Sequence, residues 1–153
     1  MTHQEVREAI AEFADALQSR GVATKHLIRG CTQAEIEEIE SDVGRTLPLA
    51  YREFLVRMGR EAGAFFVGTD MFYPNILGNT DAAHGLVSED KSGLELPRDA
   101  IAFSMHQGYQ FLFVRAEEGD DPPVYYYMEQ TGQFVKKADR FTQFLKDVVN
   151  DEW

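Results

Sequence analysis

The chain has 153 residues, 44% hydrophobic and 12% aromatic, a composition that suits one folded domain spanning residues 1–153 rather than a disordered chain. Fifteen basic residues against 26 acidic ones leave a net charge of −11, which disfavours direct binding to nucleic acid or anionic membrane and favours a basic protein partner, although acidity serves solubility equally well. No stretch approaches the roughly 18 apolar residues of a membrane span. The N-terminus lacks signal-peptide blocks, and the lone Cys31 excludes an internal disulfide, so a cytoplasmic location is expected.

Val6, Ile10, Phe13, Ala14 and Leu17 recur at helical spacing and predict a helix over about residues 3–19. Residues 21–30 read as a connector, with Leu27 and Ile28 tucked against the core. Thr32-Gln33-Ala34-Glu35 is a capping box, because the Thr32 hydroxyl can accept from the Glu35 amide while the Glu35 carboxylate reaches back. Ile36, Ile39 and Val43 then share one face until Gly44 stops the helix. A second apolar stripe of Leu47, Tyr51, Phe54, Leu55 and Met58 follows, with Pro48 in the first turn and Gly59 at the end.

Ala64-Phe65-Phe66-Val67, bounded by glycines, reads as a short strand or extended edge. Residues 81–89 read as a helix with Ala82, Ala83, Leu86 and Val87 turned inward. From Ala100 the period changes to two. Ile101, Phe103 and Met105 alternate with Ala100, Ala102 and Ser104, giving a strand with one bulky and one small face. That small face either lies under a closely packed helix or leaves a shallow groove. Residues 109–114 are apolar on both faces, as a central strand requires. Pro122-Pro123 leads into a strand of Val124, Tyr125, Tyr126, Tyr127 and Met128, and residues 133–136 follow as a fourth. Asp139 is expected to cap a last helix carrying Phe141, Phe144, Leu145, Val148 and Val149. The order predicts an α+β fold, one antiparallel sheet flanked by N-terminal helices and a C-terminal helix. Its core is Ile36, Ile39, Leu47, Tyr51, Phe54, Leu55, Ile101, Phe103, Phe111, Phe113, Phe141, Phe144 and Leu145.

The acidic helix opened by a threonine cap, then Gly44, Leu47-Pro48, Tyr51 and Phe54-Leu55, resembles the SUKH superfamily, the relatives of the Smi/Knr-type yeast cell-wall regulators. Ile101-Ala102-Phe103, Gly108, the acidic loop into Pro122-Pro123-Val124-Tyr125 and Phe141-Thr142-Gln143-Phe144-Leu145 follow in the order that family uses. The resemblance covers residues 31–150, leaving residues 1–30 as an N-terminal helix and connector of the chain's own. It implies a binding module. Many bacterial members are immunity proteins that neutralise secreted polymorphic toxins, often nucleases or deaminases, by binding them. The alternatives are an intracellular regulatory adaptor, or a small-molecule-binding protein or enzyme using a groove on the sheet with Asp81, His84 or His106 as acid–base groups.

Catalytic motifs do not emerge from the spacing. The histidines His3, His26, His84 and His106 are scattered. Asp81 and His84, three apart, would allow a metal pair or an oriented base, but a surface hydrogen bond is the ordinary outcome of that spacing. Cys31 precedes a helix N-terminus, which would activate a thiol, yet it has no histidine or cysteine beside it and reads as a small buried hydrophobe. Neither catalysis, cofactor nor metal is expected. The candidate partner-binding residues are the carboxylates Glu117, Glu118, Asp120 and Asp121 and the rings of Tyr125 and Tyr127. A solvated hairpin loop accounts for the first group and cross-strand packing for the second. Tyrosines beside carboxylates also make a protein-binding patch.

Overall fold

Two capping boxes start the first two α-helices. In the computed structural model, which describes residues 2–150, Thr2 and Glu5 exchange bonds at the start of α1 (His3–Ser19), and Thr32 and Glu35 do the same for α2 (Gln33–Val43). Gly44 ends α2 in the left-handed region at φ 71°, and α3 (Leu49–Met58) follows after a short turn. The Glu40 carboxylate holds that turn, accepting from the Leu47 amide at 3.0 Å and from Arg52 at 2.6 Å. A two-stranded ribbon of β1 (Ile28–Arg29) and β2 (Glu61–Ala62) ties the connector to the end of α3, and α4 (Asn79–Glu89) leads to the main sheet. That sheet is an antiparallel meander of β3 (Ala100–His106), β4 (Gln110–Arg115), β5 (Val124–Met128) and β6 (Val135–Ala138), closed by α5 (Phe141–Val149). The fold is α+β, with the small ribbon added to the expected sheet.

The sheet separates two cores. On one face, Ile101, Phe103, Leu112, Val114 and Val124 pack with α1, α2, α3 and α5. On the other, Ala100, Ala102, Met105, Phe111, Phe113 and Tyr127 pack with Ala83, Leu86 and Val87 of α4. Ala100 and Ala102 of β3 therefore lie beneath a close helix. Thr80 of α4 also accepts the Ala102 amide at 3.1 Å, and Asp70 bonds to Met105, so part of the β3 edge is covered.

Several local readings shift, each because a tertiary contact decides. A bulge between Ala102 and Ser104 puts Phe103 and Ser104 on the same face and sends Met105 to the opposite one, breaking the expected alternation. Residues 64–67 form successive turns instead of a strand. Phe66 stands at φ 50°, while Phe65 is buried edge-on against Phe13 with ring centroids 5.1 Å apart. β6 begins two residues later than expected, since Phe134 turns in against Phe113 and Tyr127. Ala82 is exposed on α4, and Leu27 is 43% exposed because it sits in a 3-10 turn beside the ribbon.

Tyr51 lies at the centre of the larger core, fully buried, and its hydroxyl makes no hydrogen bond to any described residue. A buried polar group left unpaired costs about 1–3 kcal/mol. Tyr51→Phe is therefore expected to raise the unfolding free energy by about 1 kcal/mol, read as a later denaturant midpoint with an unchanged slope. A lower midpoint would show that the hydroxyl has a partner such as a buried water.

Candidate functional site

The acidic loop between β4 and β5 is a structural junction as well as a charged surface. Two helices end against it. The Asp120 carbonyl accepts from the Ala50 amide at 2.8 Å, satisfying a first-turn donor of α3. The Asp121 carboxylate accepts from the Thr142 amide at 3.0 Å and from the Thr142 hydroxyl at 2.6 Å, which caps α5. Asp139 was the residue expected to do this. Instead Arg140 occupies the cap position without a side-chain bond, and Asp139 pairs with Lys136 at 3.3 Å.

Asp99, a residue that sequence reasoning did not single out, fixes the start of the loop. Its buried carboxylate accepts from Arg115 at 2.9 Å and from the Glu117 amide at 3.1 Å. Burial alone would raise its pKa, but the Glu117 amide and the Arg115 guanidinium together outweigh burial and hold the carboxyl below its ordinary value. A single aspartate before a strand carries no sequence signal for this role, because its partners come from the next strand.

The predicted carboxylates thus divide. Asp121 is half-buried and committed to α5. Glu117 remains 71% exposed at the side chain, with Arg45 3.7 Å away. Asp120 is 57% exposed and accepts from the His3 ring at 3.0 Å. Glu118 accepts from the Tyr125 hydroxyl at 2.9 Å. Glu117, Glu118 and Asp120 therefore share one loop with Tyr125 at its edge.

The two tyrosines also part company. Tyr125 is half-buried, stacked on Phe113 with centroids 5.2 Å apart, and burial followed by the Glu118 carboxylate raises its pKa. Tyr127 is fully buried in the α4-side core, with its hydroxyl on Asp90, and burial pushes its pKa up to about 12. Its placement as a surface anchor is corrected accordingly: the ring has no surface to offer, because Phe111 and Phe134 flank it.

The other candidates stay apart. Asp81 and His84 lie in the first turns of α4 with no hydrogen bond or ion pair between them, and His106 lies at the far end of β3. Cys31 is buried, and desolvation pushes its thiol pKa up to about 11, so the helix N-terminus does not activate it. Among the described residues, no three or more His, Cys, Asp or Glu side chains are grouped to hold a metal. No described helix is long and apolar enough to cross a membrane.

The chain is an α+β domain whose acidic loop is held between the starts of α3 and α5. Residues 30–147 match the SMI1 / KNR4 family (SUKH-1), and the chain belongs to that family. None of the curated proteins matches it. α1 lies before the matched region, yet Val6, Ile10, Phe13, Ala14 and Leu17 are all part of the larger core.

Proposed function

We propose that this protein is a non-catalytic, cytoplasmic binding domain, an immunity protein that neutralises a basic toxin domain of nuclease or deaminase type by covering it. Family membership supports the immunity or regulatory class. The observation that carries the finer reading is the fixed frame of the acidic loop. Its backbone is held by the Ala50 bond and its flank by Asp99 and Asp121, while Glu117 and Asp120 stay exposed. Charges already held in place need little ordering on association. Glu117, Glu118 and Asp120 steer the encounter, with the chain's net charge of −11 behind them, and Tyr125 supplies the contact that slows dissociation.

The test is binding kinetics against a basic toxin domain of nuclease or deaminase type. Charge reversal of Glu117 and Asp120 to Lys is expected to slow association about tenfold at low salt and to flatten its salt dependence. Tyr125→Ala acts mainly on dissociation. Association rates equal in wild type and loop mutant at low and moderate salt would remove this surface from the interface.

A further inference from the structure

The far end of the sheet from the acidic loop carries a feature of another kind. Face one of the meander is covered by α3 and α5 around Phe103, but its other end, where β3 runs out and β4 begins, opens into a cavity of about 270 Å³. Phe66, Leu112 and Tyr126 supply apolar walls. The bulge in β3 turns Ser104 into this cavity. Ser104 is only 4% exposed, and its hydroxyl makes no hydrogen bond to any described residue. The residue is buried but its hydroxyl opens onto the cavity, since among the described residues only the Tyr51 hydroxyl is both closed off from solvent and unpaired. The Ser104 hydroxyl is left free to bond to whatever occupies the cavity.

The rim is apolar too. Val67, on the cavity wall, is 73% exposed. Met128 pairs with Gln110 and Val135 pairs with Tyr126, so both stand on this face beside lining residues, at 38% and 40% exposure. Three of the five large hydrophobics that the described surface exposes are thus gathered here, on a strongly acidic protein. Phe66 forms its wall from a left-handed backbone at φ 50°, a conformation that bulky residues rarely adopt and that clusters at binding sites.

We propose that this cavity receives one tyrosine or tryptophan side chain from a partner protein, with the ring against Phe66, Leu112 and Tyr126 and the polar tip bonded to the Ser104 hydroxyl. Its volume of about 270 Å³ sits at the small end of the roughly 300–1,000 Å³ of small-molecule sites and is enough to take in an aromatic ring. The match is chemical as well. Tyr and Trp combine an apolar body with one polar atom that needs a partner when buried, and Ser104 is such a partner. Val67, Met128 and Val135 form the surrounding ring that keeps water from a central anchor. The cavity's chemistry is independent of what the acidic loop binds, since the two lie at opposite ends of the sheet.

The experiment titrates the isotopically labelled full chain with p-cresol, the free tyrosine side chain, and with toluene, its counterpart without the hydroxyl. Both are followed at the backbone amides of Val67, Ser104 and Leu112. Both compounds are expected to shift these amides at millimolar concentration. Ser104→Ala should weaken p-cresol by about two- to tenfold, the range of one hydrogen bond, while leaving toluene unchanged or tighter. Shifts absent from these amides, or a p-cresol affinity equal in both proteins, would overturn the proposal. Two further outcomes would also overturn it by naming another occupant. One is a dimer in sedimentation that Val67→Glu dissociates, which makes a second copy the occupant. The other is a small molecule retained in native mass spectra of the wild type and lost from Ser104→Ala.

Discussion

Phe141→Ala is expected to lower the unfolding free energy by about 3–5 kcal/mol, the range for removing a buried aromatic ring and leaving a cavity. Phe141 is the first residue of α5 and fully buried. Its ring meets Phe103 at 5.3 Å, Tyr51 at 5.8 Å and Phe54 at 5.9 Å, with interplanar angles of 85°, 77° and 83°. These are edge-to-face contacts, each contributing about 0.5–1.5 kcal/mol beyond the area buried. One side chain thus joins α5 to β3 and α3, so the surrounding elements cannot collapse into the void without losing their own contacts. Chemical denaturation followed by fluorescence and by circular dichroism measures the loss. A change below about 1 kcal/mol would mean that the core repacks freely around α5.

Much of this core was legible from periodicity. Every residue assigned to it from a stripe, from Ile36 and Tyr51 through Phe103 and Phe113 to Phe144 and Leu145, is buried. Helical stripes are local patterns, and α1, α2 and α3 follow them closely. The small face of β3 left two outcomes open, a close helix or a shallow groove, and α4 lies over Ala100 and Ala102. What periodicity could not reveal depended on one residue meeting another far along the chain. The β3 bulge inverts the strand after Phe103 without any glycine to announce it. Tyr125 and Tyr127 share a face in any alternating strand, and only the positions of Asp90 and Phe134 bury the second more deeply than the first. Composition could mark 117–121 as acidic, but not which carboxylate belongs to a helix.

That division gives the second large effect. Asp121→Ala is expected to cost about 2 kcal/mol, at the upper end for a helix cap, because the carboxylate accepts two bonds from Thr142 and faces the positive end of α5. Asp121→Lys should cost more, placing a cation where the helix favours an anion. Asp120→Lys, one residue earlier, is expected to change stability by no more than about 0.5 kcal/mol. Among the described residues its exposed side chain pairs with His3 alone, and it is the Asp120 carbonyl, kept in the mutant, that caps α3. Thr142→Val supplies the matching control. It removes the hydroxyl bond but keeps the amide bond, so it should recover only part of the Asp121→Ala loss, and the double mutant should fall short of the sum. Denaturant midpoints of the four single variants and the double mutant decide the matter. Equal losses for Asp120→Lys and Asp121→Lys would mean that the loop responds to charge alone, and a capping role for Asp121 would be lost. Separate losses would also make the binding trial clean: a slower association in Asp120→Lys could then be read as surface charge, free of any unfolding of α5.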